Sequence, residues 1–351
     1  MQTKMNTEKI SEDKFLINQI TLPENITALA ENDGKFIAIG TSDGFLHLLL
    51  MSEHIEVASS LPTSNSVIFT VEGFGDCFIV GGDSGVVELF NHKELQRDIC
   101  LDGSWIENIV AISSFETFAV ASARSCLFHL GGVESKISLE YGTPTGMAIS
   151  RWQKRLYLAT RVGFISLNEA RQFEISYASR GALRGLSLSP DDRYLTSAFQ
   201  EGDVYCHEIV SGSEIFFASF DYPFTLFEWS CNAKWFAVKS LKLIAIYESV
   251  NGALSTEAKY ILNSSDENQF TALAWNPFVE SFAVGDTNGD VWLVSVSSAT
   301  VRKLILTRSA MMKRPIDSLH WSNRGSCLLI ISGNSLFAVY PNSECTKIKT
   351  E

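Results

Sequence analysis

The feature that most constrains this chain is a sequence pattern that returns eight times at a nearly fixed spacing. Each copy has an alternating apolar segment, a short turn and a second alternating segment, as in "FIAIGTSDGFLHLLL" and "FIVGGDSGVVELF". The turns fall at or near positions 44, 85, 125, 163, 202, 242, 289 and 335. The intervals between them are therefore 41, 40, 38, 39, 40, 47 and 46 residues. A repeat of this length is typical of solenoids and propellers.

Each unit predicts four short strands. One strand precedes the segment above and runs into a polar turn, as in "LSLSPDDRYL" (186–195) and "FEWSCNAKWF" (227–236), and a more polar strand such as "KISLE" follows it. Helical periodicity is almost absent, so each unit is a small β-sheet. One such sheet cannot bury both of its faces, but radially stacked sheets bury each face against a neighbour. The sequence therefore predicts an all-β fold that forms a single β-propeller.

The turns of these units resemble those of the WD40 family over essentially the whole chain. Ser189-Pro190-Asp191-Asp192 matches the family's turn between the first two strands, and Asp43-Gly44 matches its turn between the second and third strands. The chain contains no Trp-Asp and no Gly-His dipeptide, so the resemblance is to a divergent WD40-like propeller. The family usually binds peptides on the face that carries the loops entering the first strands and the turns between the second and third strands.

The number of units predicts eight blades, with seven as the alternative if one weak unit is not a blade. The last unit lacks a fourth strand, and "KFLINQI" (14–20) is expected to supply it and close the ring without a free edge. The predicted organisation is a flexible segment at 1–13, the propeller at 14–341 and a polar tail at 342–351.

Composition narrows the functional classes. The net charge is −12, so a nucleic-acid surface is not predicted, since phosphate binding needs a positive field. No apolar run approaches the roughly 18 residues of a membrane span, and the N-terminus does not resemble a secretory signal. We therefore expect a soluble protein of the cytoplasm, the nucleus or both. The seven cysteines have no paired spacing and are expected to be buried thiols.

The search for chemistry predicts no enzyme and no cofactor or metal. The six histidines have no metal-type spacing, and neither a Gly-x-Ser-x-Gly elbow nor a P-loop occurs. Asp43, Asp83 and Asp286 lie in tight turns, where Asp commonly accepts backbone N–H bonds. Arg180-Gly181 and Arg184-Gly185 resemble the motif of phosphoinositide-binding propellers, but that motif needs adjacent arginines, so lipid binding is not predicted.

The positions that the family uses for peptides define the candidate partner-binding residues. Aromatic and arginine side chains dominate binding hot spots. The candidates are Trp105, Arg124, Tyr141, Arg161, Arg180, Arg184, Tyr222, Phe224, Phe270 and Arg314. Four of them form an arginine sector on units three to five, namely Arg124, Arg161, Arg180 and Arg184.

Two functions remain open at this point. The first is a non-catalytic scaffold that binds other proteins, as one propeller within a hetero-complex. The second is a receptor that reads phosphorylated or acidic peptides through the arginine sector, because guanidinium groups pair well with carboxylate and phosphate. Ionic strength distinguishes them, since binding of an acidic peptide weakens sharply as salt is added.

Overall fold

The computed structural model describes most of the chain, and every structural statement below concerns that part. The described residues are 6–10, 15–33, 36–51, 55–112, 114, 116–139, 143–150, 152–153, 155–160, 163–167, 173–178, 183–220, 224–250, 253–265, 267–304 and 314–341. They contain 34 β-strands and no α-helix.

Two strands near the N-terminus precede the repeat units. Each repeat unit then forms a small sheet, and the sheets are numbered as blades in chain order. The two N-terminal strands are β1 (Asn6–Ile10) and β2 (Phe15–Thr21). Blade 1 has β3 (Ile26–Glu31), β4 (Phe36–Thr41), β5 (Phe45–Met51) and β6 (Ile55–Pro62). Blade 2 has β7 (Ile68–Phe74), β8 (Cys77–Gly82), β9 (Val86–Phe90) and β10 (Leu95–Cys100). Blade 3 has β11 (Asn108–Ile112), β12 (Thr117–Ala121), β13 (Ser125–Leu130) and β14 (Val133–Ser138). Blade 4 has β15 (Gly146–Ile149), β16 (Leu156–Thr160), β17 (Gly163–Leu167) and β18 (Phe173–Ala178).

The second half of the ring repeats this plan. Blade 5 has β19 (Leu183–Leu188), β20 (Tyr194–Phe199), β21 (Asp203–Glu208) and β22 (Glu214–Ser219). Blade 6 has β23 (Phe224–Trp229), β24 (Trp235–Ser240), β25 (Leu243–Val250), β26 (Ala253–Leu254) and β27 (Tyr260–Asn263). Blade 7 has β28 (Phe270–Trp275), β29 (Ser281–Asp286), β30 (Val291–Ser295) and β31 (Thr300–Leu304). Blade 8 has β32 (Ser318–Trp321), β33 (Leu328–Ser332) and β34 (Ser335–Pro341).

The sheets form a ring with the first strand of each blade innermost. First strands of successive blades contact one another, as β3 does β7 and β7 does β11. Eight apolar clusters fill the ring, one between each pair of adjacent blades. The core is therefore distributed around the circumference, and the architecture is the eight-bladed propeller that the repeat predicts.

The N-terminal strand closes the ring as predicted. Strand β2 pairs antiparallel with β34 and becomes the fourth strand of blade 8. Its side chains alternate between two interfaces: Ile17 packs against the cluster between blades 7 and 8, and Ile20 against the cluster between blades 8 and 1. Backbone N–H groups of Leu22 and Ile26 then donate to the carbonyls of Asn334 and Gly333, at 2.9 and 3.0 Å.

Residues 6–10 belong to the segment at 1–13 that was predicted to be flexible, and in the structure they form a strand. These residues form β1, which pairs in parallel with β31 and makes blade 7 a five-stranded sheet. The physical reason is the outer edge of β31, whose unpaired backbone groups accept an added strand whatever its polarity. The 47-residue interval between the turns near 242 and 289 has a structural cause. The short strand β26 pairs with the end of β25, so β27, the fourth strand of blade 6, comes later in the chain.

Candidate interaction surface

The ring has two faces that are built differently. On the first, the segments that connect successive blades lie against the turns between second and third strands, and we call it the loop face. Thr63 N–H donates to the Gly44 carbonyl at 3.1 Å, and Leu101 N–H to the Gly85 carbonyl at 3.2 Å. Gly44 has φ +79°, and a Cβ there would lie 1.9 Å from the Asn65 carbonyl oxygen, so only glycine allows this approach. The opposite face carries the turns between first and second strands, and we call it the turn face.

Trp105 lies on the loop face, in the connection from β10 to β11. Its side chain is 59% exposed although it is a large aromatic. The indole packs on Phe69 of β7 with a ring-centroid distance of 5.4 Å and an interplanar angle of 55°. An exposed aromatic ring that is already held in place loses little conformational entropy when a partner covers it.

Asp102 holds the loop that carries Trp105. Its carboxylate accepts hydrogen bonds from the Ser122 hydroxyl at 2.8 Å, the Ser125 hydroxyl at 3.2 Å and the Ser104 N–H at 3.0 Å. Burial by itself raises the pKa of the Asp102 carboxyl, but these hydrogen bonds outweigh burial and lower the pKa below its ordinary value. The Lys136 ammonium adds a hydrogen bond to the Leu101 carbonyl. The loop is therefore anchored to blade 3.

The structure describes two members of the arginine sector. Arg124 lies in the turn between β12 and β13, Arg184 lies in β19, and both are exposed. Within the described residues neither guanidinium takes part in an ion pair. Arg161 and Arg180 lie outside the described residues, so the proximity of the four arginines stays a prediction.

The remaining candidates separate into three groups. Arg314 is exposed on the loop face, in the segment that enters blade 8. Phe270 is only 8% exposed and belongs to the cluster between blades 6 and 7, and its role as a partner contact stays a prediction. Its position as first residue of β28 puts its ring at the blade interface. Phe224 lies in β23, but its side chain, like Tyr141 and Tyr222, is outside the described residues.

The turn face carries exposed aromatic residues that the sequence reasoning missed. Trp152 is 74% exposed in the turn between β15 and β16, and Phe278 is exposed in the equivalent turn of blade 7. Such turns are mostly polar, so a Trp or Phe inside them was the available signal. Because Trp152 lies on the opposite face from Trp105, the two residues form a matched pair for experiments.

Titratable groups on the innermost strands were also missed. Glu72 and Glu228 are both the fifth residue of their strands, on blades 2 and 6, which are opposite in a ring of eight. Burial raises the pKa of both carboxyls to about 7, and for Glu228 a hydrogen bond from the backbone N–H of Trp275 opposes this in part. Neither carboxylate has an ion-pair partner within the described residues. Burial lowers the pKa of His320 to about 4, and its Nε2 lies 4.0 Å from Glu31 Oε2.

Two of the three turn aspartates, Asp83 and Asp286, accept backbone N–H groups as predicted, whereas Asp43 accepts the Thr41 hydroxyl at 2.6 Å. Asp83 accepts the N–H groups of Ser66 and Val67 at 2.7 and 3.1 Å. Asp286 accepts those of Asn288 and Asp290, both at 2.9 Å. Asp83 therefore fixes the segment that enters blade 2, and Oδ1 of Asp286 fixes the turn between β29 and β30.

Cysteines and metal-type clusters offer little chemistry in the part of the chain that is described. Six cysteines there are free thiols; three of them are buried, namely Cys126, Cys206 and Cys327. Cys77 is partly buried, and Cys100 and Cys231 are exposed, so the expectation of buried thiols holds for only some of them. No three His, Cys, Asp or Glu side chains in this part converge as metal ligands. It also contains no helix with the length and apolar character needed to cross a bilayer.

These features define an eight-bladed, WD40-like β-propeller with an aromatic and arginine-bearing loop face. The crystal structure of Sqt1 from Saccharomyces cerevisiae is similar, with a TM-score of 0.75 and 12% identity over 97% of this chain and 100% of that one. No family model matches the chain. No curated protein matches it either. Because 1804 chains of known structure match, the fold alone does not select a function.

Proposed function

We propose that this protein is a non-catalytic scaffold that binds other proteins through its loop face. The observation that carries the proposal is Trp105, an exposed indole fixed on Phe69 within a loop that Asp102 anchors. Preorganised aromatic residues of this kind are the usual centres of protein interfaces. The partners then supply any catalytic activity. The proposal places one copy of the propeller in a hetero-complex of the cytoplasm or the nucleus.

The experiment compares the two exposed tryptophans. The intact protein, Trp105→Ala and Trp152→Ala are each used to capture proteins from a cell extract, and the captured sets are quantified by mass spectrometry. Both residues are exposed tryptophans outside the core, so the substitutions are matched in size and burial. We expect Trp152→Ala to retain the partners and Trp105→Ala to lose them. Equal loss in both variants, or no loss in Trp105→Ala, contradicts a loop-face site.

The arginine sector supports a second candidate, a receptor for phosphorylated or acidic peptides. The observation in its favour is that Arg124 and Arg184 are exposed and make no ion pair within the described residues. The chain has a net charge of −12. Guanidinium groups that are not neutralised by its carboxylates can still bind anionic groups of a partner.

Salt and charge substitutions test this candidate. Binding of a phosphorylated peptide is measured for the intact protein, Arg124→Ala, Arg184→Ala and Arg193→Ala over a range of ionic strength. Arg193 serves as the control because it lies on the turn face and pairs with Glu208 at 3.1 Å. If the sector reads anions, affinity falls with salt and with the first two substitutions only. Affinity that does not depend on salt supports the scaffold instead.

A further inference from the structure

A cleft that is lined in part by Phe270 and Asp286 lies between blades 6 and 7 at the loop face. Its volume is about 580 Å³. Most of its wall is apolar and is formed by Ile261 and Leu262 of β27 and by Phe270, Val284, Val294 and Val301 of blade 7. Cavities of roughly 300–1,000 Å³ with apolar walls and a few polar groups are the usual size of small-ligand sites.

One charged group lines the cleft among the described residues, and it is the carboxylate of Asp286. Its side chain is only 2% exposed. Asp286 pairs with Phe270 across β28 and β29. The residues at the same pairing position in four other blades are neutral: Thr41, Gly82, Phe199 and Ser240. The fold therefore does not require an acid at this position.

The hydrogen bonds of Asp286 leave one oxygen weakly engaged by its loop neighbours. Oδ1 accepts both turn N–H groups at 2.9 Å, whereas Oδ2 accepts the Asn268 amide at the long distance of 3.4 Å. The Trp292 side chain also acts as a hydrogen-bond donor to this carboxylate. Burial still raises the pKa of Asp286 above its ordinary value, which shows how costly the charge is at this site. A cation in the cleft would relieve this cost.

The rim of the cleft is fixed in the present structure. The Lys242 ammonium and the Ser264 hydroxyl both donate to the Asn268 carbonyl, at 2.8 and 2.9 Å. These bonds fix the position of Asn268 beside Asp286. A site whose rim is already ordered does not have to be assembled by its ligand.

Nearby cations are engaged elsewhere. The Lys239 ammonium donates to the Phe270 carbonyl at 3.0 Å. Lys303 pairs with Asp290 and lies 5.1 Å from the centre of the Trp292 ring. Neither lysine lines the cleft.

We infer that this cleft binds an organic ammonium ion, an amine carried on an aromatic or branched aliphatic body. The apolar walls accept the body, and Asp286 accepts the N–H donors of the ammonium group. An anion is disfavoured, because the one charged group among the described lining residues is a buried carboxylate, and the rim ammonium of Lys242 is already bonded to the Asn268 and Ser265 carbonyls.

Calorimetry with two ligands of the same shape tests the inference. Tryptamine carries an ammonium group on an indole body, and tryptophol carries a hydroxyl group in its place. We expect tryptamine to bind the intact protein at one site and tryptophol to bind at least about 30-fold more weakly, as loss of a buried charge pair predicts. Equal affinity for both ligands, or binding of neither, overturns the inference.

Three variants locate the site. Asp286→Asn keeps an oxygen for the turn N–H groups and should weaken tryptamine binding by about 30-fold. Asp83→Asn is the matched control, because Asp83 also accepts two backbone N–H groups on the loop face but does not line the cleft. Val301→Phe fills the cleft and should abolish binding of both ligands. It decides the matter even if Asp286→Asn fails to fold, and unchanged binding in Val301→Phe overturns the assignment.

Discussion

The two faces of the ring hold the blades in different ways. On the turn face, polar groups of neighbouring blades join directly, as in Ser150 with Asp192 at 2.8 Å and Lys234 with Glu280 at 3.2 Å. On the loop face, many of the hydrogen bonds fix a connecting segment onto a nearby turn, as Asp102 does for the Trp105 loop. The turn face therefore contributes mainly to joining blades, and the loop face also positions side chains that point to function.

Removing the strand that closes the ring should show the largest difference between the two faces. Deleting residues 1–22 removes β2 and Leu22 from the loop-face joint, but it leaves the turn-face bond from Asn323 N–H to Glu31 Oε2 at 2.6 Å. We expect the free energy of unfolding to fall by about 5 kcal/mol. The apolar contacts of Ile17, Ile20 and Leu22 are removed, and β34 becomes a free edge. Thermal melts measure the effect.

A shorter deletion provides the control. Removing residues 1–12 takes away β1 but keeps β2, so only an edge strand is lost. We expect about 1 kcal/mol or less, since the hydrogen bonds of a short edge strand are offset by the entropy of ordering it. Equal melting temperatures for the 22-residue deletion and the intact protein contradict the closure.

The same two strands show what the sequence could predict. Strand β2 has alternating apolar residues, and Ile17 and Ile20 do pack on opposite sides, so its pattern carried the information. Strand β1 is polar and pairs in parallel, and nothing in "NTEKI" indicates that it would find the edge of β31. A pairing that uses only backbone groups leaves no hydrophobic pattern in the sequence.

The site was predictable only in outline. The repeat assigned Trp105, Arg124 and Arg184 to loop-face positions, and the structure finds them exposed there. The repeat pattern could not distinguish the buried Phe270 from these exposed candidates. An aromatic residue at the start of an inner strand gives the same sequence pattern whether its ring packs between blades or faces a partner. Glu72 and Glu228 were missed because they read as the polar positions of alternating strands.

Glu72 and Glu228 lie on the innermost strands, between the two faces. From their raised pKa values we predict how the stability of the protein depends on pH. Their folded-state pKa values of about 7 exceed the ordinary value of 4.5. The folded protein therefore binds the extra protons, and this stability is present below about pH 4.5 and lost as the pH rises through 7. Glu228→Gln should be more stable than the intact protein by about 3 kcal/mol at pH 8, and equally stable at pH 4.

Urea unfolding at several pH values measures this, with Glu72→Gln as the second variant. Glu94→Gln is the control, because Glu94 is exposed in the turn that precedes β10. If Glu72→Gln and Glu228→Gln both leave the dependence of stability on pH unchanged, these carboxyls do not titrate as their burial indicates.

The turn face should respond to Asp192→Ala with a smaller loss. Asp192 has φ +56° and accepts bonds from the Ser150 hydroxyl at 2.8 Å and the Trp152 N–H at 2.7 Å. Alanine leaves both donors unpaired and is strained at this φ, so we expect about 2 kcal/mol of destabilisation in urea. Asp192→Asn keeps an acceptor and tolerates the φ, and it should lose much less. Partner binding should persist in both, and its loss would place a contact on the turn face.

The smallest change in stability is expected for Asp102→Asn on the loop face. Asparagine can still accept from Ser104 N–H, but its amide nitrogen cannot accept from the Ser122 and Ser125 hydroxyls. Asp102 is exposed, so we expect less than about 1 kcal/mol in global stability. The effect should appear instead as faster amide exchange in residues 101–107 and weaker partner capture.

The pH dependence of this loop has the opposite sign to that of the glutamates. The pKa of Asp102 is lowered, so its anchoring is present above the ordinary value for Asp and is lost as the pH falls through the lowered value. Acid should therefore give the intact protein the exchange pattern of Asp102→Asn. Asp43→Asn is the control on the same face, because Asp43 accepts from the Thr41 hydroxyl at 2.6 Å in a turn without a tryptophan. If Asp43→Asn weakens partner capture as much as Asp102→Asn does, partner binding does not depend on the orientation of Trp105.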